Sequence, residues 1–102
     1  MKIFKYKLDC LGITPMGVFK YQLDPTQMEI EMPVGARLLC IQTQKGIPCL
    51  WAQVNESNQM TKRYFKTYGT GHDLPDFPGD YVGTYQLFGG DLVFHVYEIS
   101  KP

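Results

Sequence analysis

Gly89-Gly90 stands between two runs in which apolar and polar residues alternate, Tyr81 to Phe88 and Asp91 to Glu98. A two-residue hairpin turn of the mirror-image type needs positive φ at both centres, and glycine adopts that without a Cβ clash. The spacing predicts an antiparallel hairpin with Phe88 and Asp91 flanking the turn. Leu87 then faces Leu92, Tyr85 faces Phe94 and Gly83 faces Val96 on a core face. The other face carries Val82 against Tyr97, Thr84 against His95 and Gln86 against Val93. A slip of one residue would expose the aromatic set, so the register is well specified.

The same alternation recurs upstream. Met28, Ile30 and Met32 alternate with Glu29 and Glu31, giving a strand with one acidic face that ends at Pro33 to Gly35. Ala36 to Gln44 and Cys49 to Asn55, joined by Lys45-Gly46-Ile47-Pro48, read as a second hairpin. Pairing Gln44 with Cys49 would set Thr43 against Leu50, Ile41 against Ala52 and Leu39 against Val54, with Trp51 opposite Gln42 on the more polar side. Thr61 to Tyr68 alternates again and places Lys62, Tyr64, Lys66 and Tyr68 on one face. No segment shows a sustained 3.6-residue apolar period. Six to eight short strands with glycine and proline turns predict an all-β domain, a small antiparallel sandwich or a partly open barrel with little or no helix.

At the N-terminus, Ile3-Phe4-Lys5-Tyr6-Lys7-Leu8-Asp9 recurs as Val18-Phe19-Lys20-Tyr21-Gln22-Leu23-Asp24. The copies either pair as neighbouring strands through Gly12 to Gly17, or the first is an extension before a domain that begins near Met16; paired strands are the reading adopted. The organisation expected is an extension over residues 1–17 and one β domain over residues 18–102. A single repeat is not a solenoid, which needs several stacked units.

Ten basic residues balance ten acidic ones in a chain of 102 residues. There is then no overall field to draw in nucleic acid, although a local patch is compatible with it. Near-zero net charge also removes one barrier to self-association, so a homo-oligomer is an expectation. The start lacks the apolar core of a signal peptide and no stretch approaches a membrane span, so a cytoplasmic protein without membrane attachment is expected. Cys10, Cys40 and Cys49 lack CxxC or Cys/His spacing and are read as reduced, buried residues.

Candidate chemistry falls in two places. Gly69, Thr70, Gly71 and His72 open the longest irregular segment, Gly69 to Asp80, and glycine N–H groups with a threonine hydroxyl can hold an anion. No helix pattern follows to add its dipole, which weakens the likeness to a phosphate loop. Laid against the last hairpin, this loop would form a ligand surface with Thr84, Gln86, His95 and Tyr97. The second place is a partner surface of Trp51 with Lys62, Tyr64, Lys66 and Tyr68, since interleaved Lys and Tyr can hold phosphates and stack bases. The same lysines would equally protect an edge strand from unwanted pairing. His72 and His95 could form an acid–base pair if the loop folds over the hairpin. His72, Asp73, Asp76 and Asp80 make a poor metal set. No nucleophile elbow, Walker motif or dinucleotide fingerprint occurs, so no catalytic residue, metal or cofactor is assigned.

The blocks Glu29-Ile30-Glu31-Met32-Pro33-Val34-Gly35-Ala36, Ile47-Pro48-Cys49-Leu50-Trp51-Ala52, Tyr68-Gly69-Thr70-Gly71-His72, Tyr81-Val82-Gly83-Thr84-Tyr85-Gln86 and Leu92-Val93-Phe94-His95-Val96 resemble those of a family of small phage- and prophage-encoded proteins of unknown function. The likeness covers about Val18 to Glu98. It implies a phage accessory protein in the host cytoplasm that acts by binding, blocking a host protein or sequestering a small anionic, nucleotide-like ligand in counter-defence. The alternatives are a nucleic-acid-binding module and a small histidine-dependent hydrolase.

Overall fold

The computed structural model describes residues 16–26 and 29–101. The expected pairing of the two N-terminal copies, Cys10 and Met28 lie outside the described residues. Seven strands form two antiparallel sheets: β1 (Met16–Gln22), β2 (Glu29–Pro33), β3 (Arg37–Gln44), β4 (Ile47–Asn55), β5 (Met60–Gly69), β6 (Asp80–Leu87) and β7 (Leu92–Ile99). The three-stranded sheet has the order β1-β4-β3 and the four-stranded sheet β2-β5-β7-β6. The all-β sandwich read from the alternation is what the chain forms, with one 3₁₀ turn, Phe88–Gly90, as the helical element among the described residues.

The two inner faces supply the core. Leu50, Ala52 and Val54 from β4 meet Ile30 and Met32 from β2, Phe65 from β5, Val96 from β7 and Tyr85 from β6, all buried. Phe19 and Tyr21 of β1 close one side, opposite Ala52 and Leu50. Fully burying a side chain such as Phe65 stabilises the fold by about 1.5–3 kcal/mol, so these few positions dominate its stability. β3 lies against β6, where the lack of a side chain at Gly83 lets Ile41 approach. A Cβ built there would stand 3.0 Å from the Ile41 Cβ.

The last hairpin keeps the predicted pairs from Leu87–Leu92 through Gly83–Val96. Its turn is wider than expected, because Phe88 joins Gly89 and Gly90 in the left-handed region with φ of 52°, 66° and 99°. Beyond Gly83 a bulge shifts the register, so Tyr81, not Val82, faces Tyr97. Val82 turns to pack against the core as a result. Gly83 carried the warning, since an isolated glycine in a strand marks a bulge or a close approach.

The second hairpin corrects the expected register by two residues. Its turn is the two-residue Lys45-Gly46, both left-handed (φ 52° and 78°), so Gln44 pairs with Ile47, Thr43 with Pro48 and Ile41 with Leu50. A two-residue mirror-image turn follows the strand twist better than the four-residue connection expected, and Pro48 then sits inside β4. A second irregularity between Leu38 and Cys40 puts Leu38 opposite Ala52 and leaves Leu39 45% exposed. Trp51 faces Cys40 and Lys20 instead of Gln42. Of the cysteines, Cys49 is buried as expected and Cys40 is exposed. β5 is an inner strand between β2 and β7, so its lysines do not guard a sheet edge.

Arg63 ties the sandwich together at one end. Its Nε and Nη2 donate to the Glu98 carboxylate at 2.6 and 2.8 Å, and Nη1 donates to the Ala36 carbonyl at 2.6 Å. The fork joins β5, β7 and the β2–β3 turn in one bidentate contact, which is stronger than a single point-charge pair. Its hydrogen bonds to Glu98 hold the guanidinium charged above its ordinary value.

Tyr85 is the core's polar exception. Its hydroxyl is buried without a hydrogen-bond partner among the described residues, and burial, helped by the charge of Asp24, pushes its pKa up to about 12. The folded state thus holds this proton more tightly than the unfolded chain, where tyrosine titrates near 10. The stability it lends is complete below pH 10 and is lost as pH rises toward 12, and Tyr21, also raised by burial, acts in the same sense. Urea titrations across this range are expected to show stability falling with pH by ~2–3 kcal/mol. Tyr85→Phe should flatten that slope and raise stability at neutral pH by about 1 kcal/mol, because it removes an unpaired buried hydroxyl. An unchanged alkaline slope in the variant would refute the assignment.

Candidate binding face

The outer face of the four-stranded sheet gathers residues that the sequence had divided between two surfaces. Phe65 of β5 points into the core, so Lys62, Tyr64, Lys66 and Tyr68 point outward. Register then lines up two rows across the sheet. Tyr68 lies beside His95, which lies beside Thr84; Lys66 lies beside Tyr97, which lies beside Tyr81. Tyr97 sits at the centre, its ring 5.8 Å from that of Tyr68 and 5.5 Å from that of Tyr81, both edge to face. Lys66 Nζ stands 5.7 Å over the Tyr68 ring. Gln86 continues the β6 row opposite Val93, with its amide near Gly90.

His95 is held on both ring nitrogens. Thr70 Oγ1 lies 2.8 Å from Nε2, Thr84 Oγ1 lies 3.0 Å from Nδ1, and the Tyr81 hydroxyl bonds Thr84 in turn. A neutral imidazole offers one donor and one acceptor, so a single directed chain satisfies the set. Either Tyr81 donates to Thr84, Thr84 to Nδ1 and Nε2–H to Thr70, or every donor runs the other way. The ring is thereby locked in place as a positioning element of the face. Tyr81 entered this network through the bulge at Gly83, which simple alternation does not reveal.

The loop over residues 70–79 is tied to the face through Thr70. Thr70 N–H donates to the Val93 carbonyl at 2.9 Å and its hydroxyl is engaged with His95. His72 N–H donates to the Gly69 carbonyl and closes a tight turn. A Cβ at Gly69 would stand 2.9 Å from the His72 ring. Tyr68 points outward and neighbouring strand residues point oppositely, so the His72 ring lies on the inner side of the sheet, away from His95. There it lines a recess of about 290 Å³ with Gly69, Thr70, Asp91, Leu92 and Phe94. Gly71, with φ of 90°, has open space around it.

The Lys and Tyr residues of β5 and the Thr84, His95 and Tyr97 group thus form one continuous surface. Trp51 does not join it, because it lies on the three-stranded sheet beside Lys20 and Cys40. Lys62 is paired with Glu29 at 3.7 Å in an exposed contact, which contributes little to stability and leaves the lysine available to a competing anion. Among the described residues no three His, Cys, Asp or Glu side chains come together as metal ligands, and no helix is long and apolar enough to cross a membrane.

Fold and face together define a small two-sheet β-sandwich whose four-stranded sheet carries tyrosines and lysines on its outer face, with Glu29 and Glu31 of β2 beside Lys62. Residues 16–102 match the model of a domain of unknown function (DUF7352), and the chain belongs to that family. No curated protein and no solved structure matches it.

Proposed function

We propose that this is a non-enzymatic binding protein that stacks nucleobases on the outer face of its four-stranded sheet, taking a nucleotide or a short single strand. The observation that carries the proposal is the Tyr68, Tyr97 and Tyr81 cluster with Lys66 in the same row. Aromatic rings on a rigid sheet stack bases without sequence preference, and adjacent lysines face the phosphates. His95, fixed by Thr70 and Thr84, presents a fourth flat ring beside Tyr68. The resemblance to phage and prophage proteins supports a role in the cytoplasm of an infected host, where sequestering a nucleotide signal or covering a single strand would counter a defence. Balanced net charge is compatible with a homo-oligomer in that setting.

The test is equilibrium binding of a fluorescent oligothymidylate and of a labelled mononucleotide at several salt concentrations. With Lys62 and Lys66 as the phosphate contacts, the oligonucleotide affinity should fall with a log–log salt slope of about −1.4. Absence of binding to both probes at millimolar protein would overturn the proposal.

A further inference from the structure

The N-terminal repeat acquires meaning from what β1 and the two residues after it do in the fold. Phe19 and Tyr21 pack against the core opposite Ala52 and Leu50. Lys20 is 9% exposed and donates to Gln44 Oε1 at 2.8 Å. Leu23 packs against the core and its N–H donates to the Pro48 carbonyl. Asp24 Oδ1 accepts from the Thr26 N–H and hydroxyl. These five are the residues repeated without change as Phe4, Lys5, Tyr6, Leu8 and Asp9. Gln22, which is exposed, is replaced by Lys7, and Val18 is replaced by the similar Ile3. The identities therefore fall on three side chains packed on the core beside β4, on the lysine bonded to Gln44 of β3 and on the aspartate that shapes the turn after β1.

We infer that the edge of β4 occupied by β1 is a docking groove for a strand of the pattern Phe-Lys-Tyr-x-Leu-Asp, and that residues 3–9 are its second occupant, able to replace residues 18–24 within the same chain. The two compete for one position. The connection to β2 would lengthen from residues 25–28 to residues 10–28, a difference in loop closure that favours β1 by about tenfold. The turn also favours β1, because the copy has Leu11 where Thr26 bonds Asp24. The groove is thus held by β1 in most molecules, with the first copy in reserve.

Three variants of the full chain test this by urea unfolding at two protein concentrations: Phe19→Ser with Tyr21→Ser, Phe4→Ser with Tyr6→Ser, and all four together. The first should still unfold cooperatively, with its folding equilibrium constant lowered by about tenfold or more and independent of concentration. The second should match the parent, and the fourfold variant should lose its cooperative transition. Equal loss in the β1 variant and the fourfold variant would overturn the inference, since the copy would then contribute nothing. A loss in the second variant equal to that of the first would also overturn it, because both strands would be needed at once. A rescue that grows with concentration would place the copy in another molecule's groove and overturn exchange within one chain.

Discussion

Tyr68→Ala combined with Tyr97→Ala is expected to weaken oligothymidylate and nucleotide binding by about thirtyfold or more while the domain stays folded. Each stacked base contributes ~1–3 kcal/mol through its aromatic partner, so two platforms removed together exceed the range in which lysine contacts alone sustain binding. Both rings are partly exposed on the outer face, away from Phe65, Leu50 and Val96, and their loss leaves the core intact. Fluorescence anisotropy measures the affinity and circular dichroism the fold. Trp51→Ala, on the other sheet, serves as the control and should leave affinity unchanged. Full-strength binding in a folded double variant would exclude this face as the site.

Gly79→Ala is the second large effect, and it concerns stability. Gly79 lies in an exposed loop where substitution is ordinarily mild. Its φ of 113° lies where side chains are strained, and an added Cβ would run into the Glu98 carbonyl oxygen and lie 3.0 Å from the Ile99 side chain. The obstacle is the backbone of β7, which cannot rotate aside, and the strain falls next to the Arg63–Glu98 contact. A loss of about 3 kcal/mol is expected, which lowers the melting temperature by at least ~12 °C in a domain of this size. Gly71→Ala makes the comparison, since its φ of 90° is also unfavourable but open space surrounds it. Only the strain of ~1 kcal/mol should appear there. Equal melting temperatures for the two variants, read by calorimetry, would show that the close approach to Glu98 has no consequence.

Local periodicity carries the first level of this protein. Alternation within Glu29–Pro33, Met60–Gly69 and Leu92–Ile99 is a property of consecutive residues, and so the strands, the inward Ile30, Met32 and Phe65, and the outward Lys62, Tyr64, Lys66 and Tyr68 can be read directly. The paired core of the last hairpin is legible for the same reason, because two strands joined by a short turn are fixed relative to each other by the chain itself. The Lys45-Gly46 turn departs from the expected four-residue connection because Lys45, a non-glycine residue, adopts a left-handed φ that matches the strand twist, a preference visible only once both strands are in place.

Tertiary structure decided where the faces meet. Nothing in the sequence places β5 between β2 and β7, yet that order turns two separate candidate surfaces into one and removes the edge-strand reading of its lysines. The separation of His72 from His95 likewise depends on which side of the sheet the loop crosses. Tyr81 reached the face through a bulge next to Gly83, where Ile41 of the opposite sheet packs closely. Alternation is a one-strand property and survives in the linear chain, whereas strand order, loop side and bulge position follow from contacts between residues distant in sequence, which exist only when both sheets have packed.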